Sequence, residues 1–201
     1  MKSKGLTRVL VGSALLYVFQ SASAQDLNYD YIEAGYVSTS VELGGSTDLD
    51  GNGFAVTGSS SISPNLAFGA GYSGVSYERL QGIDVDTSEL TFGLLAHAAL
   101  APRTDVYASF SVLNADAEAS NGFNSISEDD TGNTIGLGVR HLASDAVELG
   151  LGLSRVDVFD SADTAFGVSA RFFANKTLAI GIGYSVADDI DAISVSARFA
   201  M

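Results

Sequence analysis

Seven residues stand out for the chemistry they could do: Glu33, Glu89, His97, Arg140, Glu148, Arg171 and Arg198. Each lies in a stretch otherwise dominated by apolar and small residues. Charges held away from water must pair, because an isolated one costs several kcal/mol. Carboxylates and guanidiniums in such a setting can form a structural ion-pair network or a charged constriction that selects small solutes. Catalysis has little to build on. His97 and His141 are the only histidines, no G-x-S-x-G occurs, and no histidine spacing suits a metal. The chain is therefore read as a non-enzyme without a cofactor, and His97 is assigned to the polar network.

One stretch imitates a metal loop. "DLDGNG" (48–53) matches the opening D-x-D-x-N-G of a calcium loop. The twelfth position, which should supply a bidentate acid, is Ser59. Asp48, Asp50 and Asn52 thus remain weak metal candidates, and the stretch reads as a Gly/Asp-rich hairpin loop.

The elements that must position these residues are strands. Period 2 dominates and helical spacing is almost absent. Ten alternating runs cover 27–41, 53–63, 66–77, 85–98, 105–115, 133–142, 146–156, 163–173, 178–186 and 191–201. Short connections at 64–65, 99–104, 141–145 and 174–177 alternate with longer acidic ones at 42–52, 78–84, 116–132, 157–162 and 187–190. That pattern suits up-and-down hairpins with one compact end.

Composition says where the faces point. Residues 1–24 read as a secretory signal: a basic start (Lys2, Lys4, Arg8), an apolar core and an Ala22-Ser23-Ala24 cleavage site. Its removal takes three of the ten basic residues and no acid. Seven basic residues then face 24 acidic ones, a net charge of −17. Such acidity argues against nucleic acid. Yet 46% of the chain is hydrophobic and there is no cysteine to staple a small core. In "LAFGAGYSGV" (66–75) one face is Leu66, Phe68, Ala70, Tyr72 and Gly74, while the other is Ala67, Gly69, Gly71, Ser73 and Val75. A lipocalin-like barrel would turn its greasy face inward. The glycine and serine face is a poor water-facing surface, and the mature chain holds one lysine, Lys176. Small residues therefore crowd a lumen and bulky ones meet lipid. Lipid tolerates strands only in a closed barrel.

The predicted fold is a single all-β domain, 25–201: a closed antiparallel transmembrane barrel of ten strands, with eight as the alternative. On adjacent strands, Arg140, Glu148 and Arg171 should form one cluster, and Arg198 should meet Glu33 where the barrel closes.

"YDYIEAGY" (29–36) and "ISVSARFAM" (193–201) resemble the first and last strands of small outer-membrane barrels of the OmpA/OmpX/OmpW-like class of Gram-negative bacteria. A closer likeness is to a small ten-stranded family once described as a secreted quorum factor. The resemblance implies the outer membrane as location. It also implies recognition of the last strand by the barrel-insertion machinery, for which Phe199 fits and Met201 departs. The function expected is a structural envelope component with a lumen largely filled by side chains. The alternatives are a narrow porin-like channel for small solutes, or adhesion and partner binding through acidic extracellular loops. Expected partners are outer-membrane lipid and lipopolysaccharide, bridged by divalent cations at the acidic rim.

Overall fold

A computed structural model describes residues 27–43, 48–80, 82–159 and 161–201. The signal segment 1–24 lies outside the described residues. Ten strands follow one another: β1 (Tyr31–Glu42), β2 (Asp48–Ser63), β3 (Leu66–Leu80), β4 (Ile83–Ala101), β5 (Thr104–Ser120), β6 (Ser125–Ser144), β7 (Val147–Val158), β8 (Ser161–Phe173), β9 (Leu178–Ala187) and β10 (Ile190–Ala200). Each pairs antiparallel with its sequence neighbours, and β1 pairs with β10 to close the barrel. Closure leaves no edge carrying unpaired backbone groups.

Alternation decides the faces. Along β3, Ala67, Gly71, Ser73, Val75 and Tyr77 are buried, while Phe68 and Tyr72 are exposed. The bulky residues form an outward band, including Leu94, Leu137, Leu151, Ile180 and Val195. Tyr36, Phe54, Tyr72, Phe166 and Tyr184 rim the band toward the outer end, and Phe68, Phe172 and Phe199 toward the end holding Leu27 and Met201. Paired girdles of this kind are those of a lipid-embedded barrel.

The strands are longer than the sequence reading allowed. About 9–11 residues cross a bilayer, but β4, β5 and β6 run to 19, 17 and 20 residues. The expected long loop 116–132 is mostly strand, since β5 and β6 stay paired up to Ser120 and Ser125. Only 121–124 turn, with Gly122 at φ +84°, a backbone setting that favours glycine. "DLDGNG" is likewise the start of β2, not a hairpin loop.

The reason is a change of phase. In β1 the outward residues Ile32, Ala34 and Tyr36 are apolar, but above them Ser38 and Glu42 face out and Val37 and Val41 face in. In β5, Asn114, Asp116 and Glu118 point out while Leu113, Ala115 and Ala117 point in. Period 2 persists through the outer membrane boundary, with the greasy set switching from outside to inside. The outer wall becomes acidic, and the lumen inside it becomes apolar. Val41, Leu49, Val75, Tyr77, Leu113 and Val158 belong to this inner apolar cap.

The opposite end is closed by the chain's own N-terminal segment. Tyr29 is buried with Ala67, Leu95 and Tyr107, with Leu27 packed against them. Asp30 clasps the seam. Its carboxylate accepts hydrogen bonds from the Ser61 N–H (2.7 Å), the Ser61 hydroxyl (2.8 Å) and the Ser60 hydroxyl (3.0 Å). Its carbonyl accepts from the Met201 N–H at 3.0 Å. Burial raises the Asp30 pKa, but the Ser61 and Ser60 hydrogen bonds outweigh it and hold the carboxyl below its usual range. A lowered folded pKa adds stability above the unfolded value near 4, lost as pH falls through the folded value. Asp30→Asn should therefore lower folded stability at neutral pH, by at most about 1 kcal/mol because solvent screens the partly exposed carboxylate. The gap from the native chain should close in acid. Heat-dependent gel mobility of both proteins across pH measures it, and a gap that is equal at pH 3 and pH 7 would contradict the clasp.

Candidate functional site

The lumen holds the only concentration of buried charge among the described residues, and the barrel's small face makes room for it. Arg140 near the inner end of β6, Glu148 near the start of β7 and Arg171 late in β8 all point inward. Arg140 Nη2 donates to Glu148 Oε2 at 2.9 Å, and Arg171 Nη1 donates to Glu148 Oε1 at 2.9 Å. Glu33 and Arg198 are direct cross-strand partners of β1 and β10. Arg198 Nε donates to Glu33 Oε2 at 2.7 Å, and its Nη2 also pairs with that oxygen.

The two groups are one. Arg171 Nη2 also donates to Glu33 Oε1 at 3.2 Å, reaching across β9 and β10. The bridge passes over Gly181, where an added Cβ would come within 2.8 Å of the Ser196 hydroxyl. That hydroxyl donates to Glu33 Oε1 at 2.5 Å. The result is an alternating chain, Arg140–Glu148–Arg171–Glu33–Arg198, with three guanidiniums against two carboxylates. Arg140 and Glu148 are 0% and 1% exposed, so water does not screen the pair.

His97 sits beside this chain. Its ring stacks on Tyr29 with centroids 3.6 Å apart, and its Nδ1 lies 3.6 Å from Asp105 Oδ2. Tyr29 in turn lies under the Arg140 guanidinium at 4.9 Å and donates to Asp105 at 3.2 Å. Tyr31 lies under Arg198 at 3.8 Å. Tyr29, Tyr31, Tyr107 and Asp105 were missed by the sequence reading. Their signal was faint: Tyr29 and Tyr31 flank the start of β1, and Asp105 and Tyr107 share only the inward phase of β5. Gly138 marks the fit of the plug, because a Cβ there would lie 2.3 Å from the Tyr107 ring.

Glu89 is not brought into the network. It is buried on β4, nearer the outer end, between cross-strand partners Ser73 and Ala115. Asp48, Asp50 and Asn52 face outward at alternate positions of β2, and Asn52 accepts a hydrogen bond from Tyr36 at 2.6 Å. Among the described residues, no group of three acids, histidines or cysteines is arranged to hold a metal ion.

Between the ion-pair chain and the apolar cap lies a cavity of about 110 Å³, lined by Glu33, Arg171, Thr57, Ser169, Ser194 and Ser196 among others. From outside inward the lumen thus reads acidic wall, apolar cap, small polar cavity, ion-pair chain and tyrosine plug. Such a stack can brace a barrel and block passage.

A family model described as "Outer membrane protein beta-barrel domain" matches residues 11–185. The translocator domain of the autotransporter NalP from Neisseria meningitidis is similar in structure: 13% identity, 97% of this chain and 94% of that one, TM-score 0.52. Neisserial surface protein A shares 12% identity over 85% and 96% of the two chains, TM-score 0.49. Ail, the attachment invasion locus protein of Yersinia pestis, shares 13% over 86% and 99%, TM-score 0.45. At such identities the likeness concerns the fold alone. No curated protein matches the sequence.

Proposed function

We propose that this chain, which belongs to the outer membrane protein β-barrel domain family, is a passive structural component of the outer membrane with a lumen closed by its own side chains. The observation that carries the reading is the filled lumen: apolar cap, buried ion-pair chain and tyrosine plug follow one another along the axis. The barrel is held in lipid by its apolar band. No catalytic step enters the proposal.

Partners follow from the surface chemistry. The acidic outer wall, with Asp86, Asp116 and Glu118 facing out, would bind divalent cations that bridge lipopolysaccharide phosphates. The last strand, with Phe199 facing lipid, would be read by the barrel-insertion machinery.

A second reading, a narrow channel for small solutes, is favoured by the cavity of about 110 Å³ lined by serines and glycines. Planar-bilayer recording of the purified protein separates the two. The closed lumen gives no steady conductance at neutral pH. Stepwise channel openings in the native protein would refute it and support the channel. A third reading, adhesion, draws on the tip of the β5–β6 hairpin, where Phe123 is 96% exposed beyond the membrane.

A further inference from the structure

We propose that Glu89, Ser73 and Thr91 form a lumenal site for one partly dehydrated monovalent metal cation of the sodium class, set against the apolar cap. Glu89 is 1% exposed, Ser73 0% and Thr91 1%. Glu89 and Ser73 are direct partners across β3 and β4. Thr91 is the next inward residue on Glu89's own strand, and its hydroxyl donates to Glu89 Oε1 at 2.7 Å. Glu89 Oε2 and the Ser73 hydroxyl have no hydrogen-bond partner among the described residues. Two buried oxygens on directly paired inward residues are thus unsatisfied.

Among the described residues, the surroundings offer no cation from the protein. Arg140, Arg171 and Arg198 ion-pair with Glu148 and Glu33, and no ion pair of Glu89 lies within 4.0 Å. Ala115, opposite Glu89 on β5, belongs to the apolar cap, as do the inward neighbours Val75 and Leu113. A lone buried carboxyl must either hold a proton or find a counter-charge, since isolated buried charge is costly, and a bound cation is the second of these. The donor set is all oxygen, which selects hard cations. It carries a single negative charge, so a monovalent ion neutralises it. A divalent ion would leave one buried positive charge uncompensated, and it ordinarily recruits more carboxylates. The acidic outer wall above raises the local cation concentration at the mouth. The site requires neither a closed nor a conducting lumen, so the bilayer result above leaves it standing.

The test uses the full mature chain folded in detergent, with sodium exchanged for N-methylglucamine at constant ionic strength. A ligand that binds only the folded state raises the unfolding midpoint as its concentration passes the dissociation constant. The expected result is a saturable rise with sodium and a broadened ²³Na resonance in the native protein. Glu89→Gln should abolish both effects, and Ser73→Ala should weaken the apparent affinity roughly tenfold, the effect of one lost polar contact. Equal midpoints in the two salts would overturn the site, as would a sodium response retained by Glu89→Gln. If that variant does not fold, the native protein still decides. An unbroadened ²³Na signal, or an infrared band of a protonated buried carboxyl in saturating sodium at neutral pH, overturns the proposal without any variant.

Discussion

Glu148→Ala is expected to cost the folded barrel about 3–5 kcal/mol, the range for breaking a buried pair from one side. Glu148 bonds two guanidiniums at once, Arg140 and Arg171, each at 2.9 Å. Removing it leaves Arg140 buried without its carboxylate and Arg171 dependent on Glu33 alone. Glu33 already serves Arg198. The effect should be read as a lower urea midpoint of the gel-mobility shift in lipid vesicles. The companion variant is the double replacement Arg140→Met with Glu148→Leu. It removes one positive and one negative charge, so the remaining balance is unchanged. Replacing a buried pair by apolar residues of similar size is often neutral or stabilising. The double variant should therefore be more stable than Glu148→Ala alone. A single variant with the native midpoint would mean that water reaches the pair, and the braced lumen would be lost as an explanation of stability.

Much of this site was legible in the sequence, for a physical reason. Arg140, Glu148, Arg171, Arg198 and Glu33 stand at the inward phase of strands where many of the other inward residues are glycine, serine or alanine. In such strands a charge announces the lumen, and hairpin order makes β6, β7 and β8 neighbours. The bridge from Arg171 to Glu33 was not legible. It skips β9 and β10, so it depends on barrel curvature and on the missing side chain at Gly181, neither of which adjacency reports. Glu89 was grouped with the network because it shares the inward phase. Phase fixes the face but not the height, and Glu89 lies far up β4, level with cap residues.

The outer third of the barrel was misread for a related reason. A strand that leaves lipid for water must turn polar outside, so its apolar residues move inside if the lumen is to stay packed. At β5 the switch falls between Val112, exposed, and Leu113, buried. Adjacent apolar residues at such a switch break the alternation by one step, and a one-step slip resembles the end of a strand. Acidic residues beyond the switch then resemble a loop. Lengths of 17 and 20 residues for β5 and β6 show instead that pairing continues.

Leu151→Arg is expected to destabilise the barrel by about 2–4 kcal/mol, the cost of arginine on the lipid face near the bilayer midplane. Leu151 is the middle of three outward leucines on β7, between Leu149 and Leu153, and is 48% exposed. Its cross-strand partners are Val139 and Val168, so a guanidinium there finds neither acceptor nor counter-charge. The same strand supplies its own control. Arg155 already faces outward on β7, nearer the outer end, where Asp157 follows it on the same face. Outward arginine is thus tolerated at the interface, and the cost expected at Leu151 is a cost of depth. Arg155→Leu should accordingly change stability little. Urea titration of both variants in vesicles, followed by gel mobility, compares the two positions on one strand. If Leu151→Arg unfolds with the native midpoint in lipid, residue 151 does not touch hydrocarbon, and the assignment of bulky side chains to the outside of the membrane band fails with it.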